Sequence, residues 1–415
     1  MDLSTRSASC GGVVYVGGAI WVMTTSKMVP TPEALEEARE LMMRFAQRTG
    51  LISDLPPKRY LWTDAFAVCN FLGLAQATGE ERYTALALRL IDQVHKVLGT
   101  YRADDPRTGW ISGLSEKEGA AHPTRGGLRI GKALPERADG EPFDEQLEWQ
   151  RDGQYFHYLT KWMHALDQAS RRTGQSQLNA WARALAKVAH DTFTYADRDG
   201  RRMVWKMSTD LSRPLVSSMG HHDPLDGFIT CTQLQTTQSR TASGPGLEDE
   251  AADFRAMIAG QDWATADPLG LGGLLTDASR VAQLMHLGSF AGTDLLHDLL
   301  GAALRGLAGC VRQNELQYPA SRRLAFREFG LAIGLCAVEV IEKDHQRFPR
   351  AAEVDAQVKA LALYGTLGAE IESFWLDPKH RKDRTWLEHR DINEVMLATS
   401  LVPIGFLSMH PRGSP

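Results

Sequence analysis

Apolar residues recur along most of the chain at helical spacing, and two kinds of segment alternate. Glu33–Thr49, Glu80–Leu98, Gln175–Tyr195, Thr293–Arg312 and Ala351–Phe374 carry an apolar stripe and a polar face, the pattern of helices lying on a core. Between them lie segments that are apolar nearly all round and rich in small residues, such as Trp62 to Ala75 and Phe326 to Val338. A helix of that kind is buried on every side. Thr31-Pro32 opens the first segment and Gly50 closes it. Thr63-Asp64 opens Ala65–Thr78 ahead of Gly79, while Gly99 and Gly174 end Glu80–Leu98 and Asp152–Thr173. Further starts fall near Asp223, Glu248, Asp267, Thr293, Ala325, Ala351 and His389, which gives about twelve helices.

Alternating buried and half-exposed helices predict an all-α fold, an (α/α)6 toroid with an inner and an outer helical ring. Gly330 and Gly334, one turn apart, would let inner helices approach closely. Strand signals are poor, the best being Met203–Met207 with Leu211–Val216 as a hairpin or an extended loop. No βαβ alternation and no glycine-rich phosphate motif is present, which disfavours nucleotide folds. The expected unit is one domain over residues 31–415. Residues 1–30 read as a disordered or over-extended start, with Met23 or Met28 as alternative first residues.

Inner helices that follow one another as hairpins run parallel, so their N-terminal ends share one mouth. Those ends carry Trp62 and Asp64; Asp152, Tyr155 and His157; His221, His222, Asp223 and Asp226; Asp267; Arg327 and Glu328; and His389, Asp391, Asn393 and Glu394. Polar groups dispersed in sequence are therefore expected to converge in space.

Composition narrows the partners. The 415 residues hold 46 Lys+Arg against 51 Asp+Glu, a formal net charge of −5, so no positive field or arginine-rich run draws nucleic acid. Five cysteines, Cys10, Cys69, Cys231, Cys310 and Cys336, are scattered without a CxxC or Cys/His cluster. They suit reduced core thiols and a cytoplasmic location, and neither a metal nor a cofactor is expected. Gly11–Met23 is only mildly apolar, and no run of about 20 apolar residues predicts a membrane span. The oligomeric state is left open.

With six apolar inner helices alternating with outer ones, and polar helix starts such as Trp62-Thr-Asp64 and His389-Arg-Asp391, the chain resembles the six-hairpin (α/α)6-barrel glycosidase superfamily. That group includes the N-acylglucosamine 2-epimerase-like proteins, and the resemblance runs over residues 31 to 410. It implies a small carbohydrate bound at the mouth of the inner ring.

Three sets of residues offer chemistry there. Asp64, Asp226, Glu328, Asp391 and Glu394 form a carboxylate set, and glycoside hydrolysis needs one protonated and one ionised carboxyl. Helix capping is the competing role for any one of them. Glu328 follows Arg322, Arg323 and Arg327 and enters an apolar helix, so it either pairs with an arginine or does chemistry. His157, His221, His222 and His389 form a histidine set able to move protons near neutrality. In the epimerase-like proteins the resemblance implies one histidine near the fourth inner helix and one near the sixth. His389 suits the sixth, but the fourth start, Asp267-Pro-Leu-Gly-Leu-Gly-Gly, departs from the pattern. Trp62, Trp110, Trp149, Tyr155, Tyr158, Trp162, Trp205 and Trp386 offer aromatic faces for sugar C–H surfaces. The long insertion from Tyr101 to Gln150 is expected to cover the pocket and present Arg125, Arg129 or Lys132 to the ligand.

The resulting expectation is a glycoside hydrolase. Asp64, Glu328, Asp391, His222 and His389 are the catalytic candidates. Trp62, Tyr155, His157, His221, Asp226, Arg125, Arg129, Arg327 and Glu394 are the substrate-binding candidates. The alternatives are a sugar epimerase or isomerase using paired histidines, and a non-catalytic sugar-binding toroid.

Overall fold

The computed structural model describes residues 13–16, 19–22, 27–198, 200–237, 244–345 and 351–409. Leu61–Thr78, Phe156–Thr173, Asp223–Thr237, Pro268–His286, Ala325–His345 and Arg390–Leu401 are the six inner helices. Each packs on the next, and the sixth closes on the first. The outer ring is Pro32–Arg48, Glu81–Leu98, Ser176–Phe193, Glu248–Ile258, Thr293–Gln313 and the pair Ala351–Ala362 and Gly365–Leu376. The fold is therefore the all-α toroid that the alternation predicts.

Burial follows the two sequence patterns. The first inner helix is buried continuously from Leu61 to Ala75. Its outer neighbour buries one stripe, including Tyr83, Ala87, Leu90, Ile91, Val94 and Leu98. Glycine permits the closest crossing of the ring. A Cβ on Gly272 of the fourth inner helix would lie 1.9 Å from the carbonyl oxygen of Gly330 in the fifth, and one on Gly334 would lie 2.6 Å from the Cα of Gly272.

The strand expectation needs correcting. Met207 bridges Pro214, and the Leu215 amide donates to the Lys206 carbonyl at 3.0 Å, so those two runs do touch. But Lys206–Met207 takes Gln154–Tyr155 as its strand partner, and the regular hairpin is Thr194–Asp197 with Gly200–Met203. Consequently the second inner helix begins at Phe156 rather than Asp152, its amide held by the Trp205 carbonyl at 3.1 Å.

The far end of the ring is plugged by the C-terminal segment Ile404–Leu407. Phe406 stacks on Phe66 with centroids 4.4 Å apart. His164 Nε2 lies 2.9 Å from the Phe406 carbonyl, Gln283 donates to the Leu407 carbonyl at 2.9 Å, and the Met409 amide donates to Gln283 at 2.8 Å. Residues 101–150 form short helices, Glu116–Ala121 and Glu145–Glu148, joined by irregular chain. Arg107 pins them through Asp105, Glu136 and Asp210.

Most of the expected disordered start, residues 1–30, lies outside the described residues; Val13–Val16 pairs antiparallel with Ala19–Val22, and Lys27 is ion-paired with Glu372. Cys69, Cys231, Cys310 and Cys336 are buried free thiols. Among the described residues no helix is long and apolar enough to cross a membrane.

Candidate functional site

A cavity of about 1370 Å³ opens at the N-terminal ends of the inner helices. Each helix contributes its first turns: Trp62 and Phe66; His157, Tyr158 and Lys161; Asp223 and Asp226; Gly272, Thr276 and Asp277; Phe326 and Gly330; Ile392 and Met396. Phe406 closes the floor. The insertion supplies one wall through Arg137, Phe143, Glu145, Glu148 and Trp149, and the loop from Leu215 to His222 supplies another.

The charges gather on the second, third and fourth inner helices. Asp226 is their centre. Lys161 Nζ reaches its Oδ2 at 2.8 Å and Thr160 Oγ1 donates to the same oxygen at 2.5 Å. Arg280 Nη1 reaches Oδ1 at 2.9 Å and also binds Asp277 at 3.0 Å. Burial alone would raise the Asp226 pKa, but Lys161, Arg280 and these hydrogen bonds outweigh it and hold the carboxyl well below its usual range. The carboxylate is thus permanently ionised and fully engaged.

Its neighbours are tuned the other way. Burial and the adjacent Asp226 push Asp223 up to about 7, and among the described residues its Oδ2 takes no hydrogen bond. Burial and Asp226 likewise raise Asp277 to about 6. Burial and Lys161 lower His157 to about 4; burial, helped by His221, lowers His222 to about 4. Near pH 7 the cavity therefore holds neutral His157 and His222, a protonatable Asp223 and an ionised Asp226. His222 Nε2 donates to the Trp263 carbonyl at 3.0 Å, which leaves Nδ1 as the basic nitrogen of the neutral ring. His221 Nε2 makes the matching contact with the Asp262 carbonyl at 2.7 Å.

Of the catalytic and substrate-binding candidates, Trp62, His157, His221, His222 and Asp226 line this cavity, as do Tyr158, Trp149 and Trp205 of the aromatic set and the helix-start residues Asp223 and Asp267. The others take different places. Asp64 is buried against Arg59 at 3.4 Å and accepts the Tyr60 amide at 2.9 Å, closing its own helix start. Burial raises it to about 6, against the pull of Arg59. Glu328 holds Arg323 through two bonds of 2.8 and 2.6 Å and accepts Trp375 Nε1 at 2.8 Å. Asp391 and Glu394 share Arg48 at 2.7 Å each, tying the sixth inner helix to the first outer one. His389 packs edge-on against Phe326. Tyr155 is buried beneath Trp149 and Trp205, with Lys206 Nζ 5.2 Å from its ring centre. Arg327 pairs with Asp267. In the insertion Arg125 is exposed, and Arg129 is buried against Asp152 at 2.6 Å, so the arginine that faces the cavity is Arg137.

Lys161, Asp277 and Arg280 were not singled out from sequence. Their signal was present: each is a charge inside a mostly buried helix, one or more turns past the start, and a buried charge needs a partner. Outside the cavity, His190, Asp191 and Glu250 bring potential metal-ligating atoms within 4.8 Å of one another. Asp253 takes the His190 Nε2 proton at 2.9 Å and Lys187 donates to Glu250 Oε1 at 2.5 Å, so those two atoms are already engaged.

No family model matches the chain, and no curated protein matches it. Among solved structures, one described as "Crystal structure of D-mannose isomerase" is similar at 11% sequence identity and a TM-score of 0.46, over 81% of this chain and 87% of that chain.

Proposed function

We propose that the protein is a carbohydrate-processing enzyme that moves protons on its substrate, as a sugar isomerase or epimerase does. The supporting observation is the set of neutral His157 and His222 with protonatable Asp223 in one aromatic-walled cavity. A neutral imidazole can take a proton from the carbon beside an open-chain sugar carbonyl, and Asp223 can protonate the carbonyl oxygen as charge develops. From the resulting enediol Asp223 recovers a hydroxyl proton in either case: returning the first proton to the neighbouring carbon isomerises the sugar, and returning it to the opposite face of the same carbon, after the enediol has turned over against the imidazolium, epimerises it. Asp226, locked by Lys161 and Arg280, keeps Asp223 protonated without itself reacting.

A glycoside hydrolase is the second reading, favoured by one observation: Asp223 and Asp277 are two raised carboxyls lining the same cavity. One can serve as acid while the other, ionised, activates water. A single experiment separates the readings. The protein is incubated in D2O with aldohexoses, ketohexoses and their α- and β-linked disaccharides. Deuterium entering carbon-bound positions supports proton transfer on the sugar, and release of new reducing ends without such exchange supports hydrolysis. Neither signal on the whole panel would reject catalysis on these sugars.

A further inference from the structure

Single exposed apolar side chains are ordinary, but exposed apolar side chains gathered in one place mark a binding surface. Four of the exposed ones, Phe143 (58%), Trp149 (50%), Tyr195 (43%) and Met219 (40%), line this cavity together, at its outer rim. Trp149 lies flat on Trp205, centroids 4.8 Å apart and planes 22° apart, so Trp205 braces the half-exposed Trp149 indole as a flat apolar platform. The platform is built rather than loose. Lys206, fully buried, holds the turn that carries Trp149 by donating to the Glu148 carbonyl at 2.7 Å and to its carboxylate at 2.6 Å. Trp205 Nε1 donates to Ser218 Oγ at 2.9 Å. Arg137 is clamped beside it by Glu148 at 3.1 Å and by the Leu215 carbonyl at 3.0 Å.

The reacting groups lie on the inner helices, while the indole pair is carried by the insertion and by the strand that follows Met203. The cavity joining them, about 1370 Å³, is larger than the roughly 300–1,000 Å³ that encloses a drug-sized ligand. A single hexose beside His157 and Asp223 would leave the outer part unfilled. Flat apolar faces edged by charged Arg137 and Glu145 match a pyranose ring, which has C–H faces and a hydroxyl rim.

We infer that the Trp149–Trp205 face, with Phe143 and Arg137, is an outer subsite for a second sugar ring, so that the substrate is a glycosylated sugar of at least two units. The inference rests on the carbohydrate reading of the inner site and adds the length of the substrate to it. Trp149 is a binding residue here and does not touch the reacting atoms.

The test is binding by calorimetry of glucose, mannose, galactose and N-acetylglucosamine, and of their α- and β-linked di- and trisaccharides, to the wild-type chain, Trp149→Ala and Phe143→Ala. Both replaced side chains are at least half exposed, so the variants should fold, and a circular dichroism melt checks this. For at least one linkage, the disaccharide should bind wild type at least about fivefold more tightly than its monosaccharide, the scale of one aromatic contact. Trp149→Ala should erase that difference and leave monosaccharide affinity unchanged. Equal affinity for monosaccharides and their glycosylated forms in wild type, or an advantage untouched by both variants, overturns the subsite and leaves the inner-site reading standing. Binding of no sugar in the panel overturns both.

Discussion

Lys161 Nζ stands 2.8 Å from Asp226 Oδ2, joining the second and third inner helices just inside the mouth of the ring. The lysine also depresses His157 and His222, while the aspartate raises Asp223 and Asp277. Burial is the main cause of each of these shifts, and the ion pair adjusts them. Asp226→Asn would leave Lys161 and Arg280 facing a neutral amide, and about 3–5 kcal/mol of stability should be lost, as when one partner of a buried pair is removed. Urea denaturation measures it; an unchanged midpoint would show that the pair does not hold the wall. In Lys161→Met, NMR titration should find His157 closer to its ordinary value.

Asp223 gives stability a definite pH dependence. Its carboxyl ionises near pH 7 in the folded chain and near 4 when unfolded. Between those values the folded state binds the extra proton, so this contribution is fully present below about pH 4 and is lost as pH rises through about 7. His157 and His222 have the opposite sign, since they charge near pH 4 when folded and near 6.5 when unfolded. Their effect ends above about pH 6.5. Between pH 6.5 and 7.5 the melting temperature of Asp223→Asn should therefore fall less, or rise more, than that of wild type. Parallel curves would contradict the assignment.

His222→Gln should fold normally, because the glutamine amide can replace the donor to the Trp263 carbonyl, yet it loses the basic Nδ1. Turnover should drop at least about a hundredfold, the ordinary scale for a missing general base. Steady-state kinetics on whichever sugar shows deuterium exchange decides it, and a loss confined to KM would remove His222 from the chemistry.

Glu328 separates stability from activity. Its carboxylate is saturated by Arg323 and Trp375 outside the cavity. Glu328→Gln should cost about 3–5 kcal/mol and leave the turnover of the remaining folded protein unchanged. A stable but inactive variant would reverse that assignment.

Gly272→Ala tests the tight crossing. The new methyl would meet the Gly330 carbonyl at 1.9 Å, so the fourth and fifth inner helices must part. Overpacking of this kind costs about 1–3 kcal/mol. A thermal melt with no decrease would mean that the helices separate freely.

The ring itself was legible because burial on all sides erases the polar stripe, and no other element leaves that trace. The convergence of the helix starts followed from connectivity alone. Which start residues turn inward was not legible, since that depends on the roll of each helix about its axis. His157 and Asp226 face the cavity, while Glu328 and Asp391, at similar distances from their own starts, face arginines on neighbouring segments. Arg129 illustrates a second limit. In the sequence it is one of several basic residues in a glycine-rich stretch, and only the folded chain shows Asp152 waiting for it.

The C-terminal plug makes the ring a cup rather than a tube. With Phe406 and its neighbours bolted across the far end by His164, Gln168 and Gln283, the described residues leave the cavity open at the helix N-termini and closed at the other end. A ligand must leave by the way it came, so product has to clear before the next substrate can settle. A long chain cannot be threaded through and worked on as it slides. Only its terminus can reach the bottom, and traffic through that single doorway makes product a direct competitor for entry.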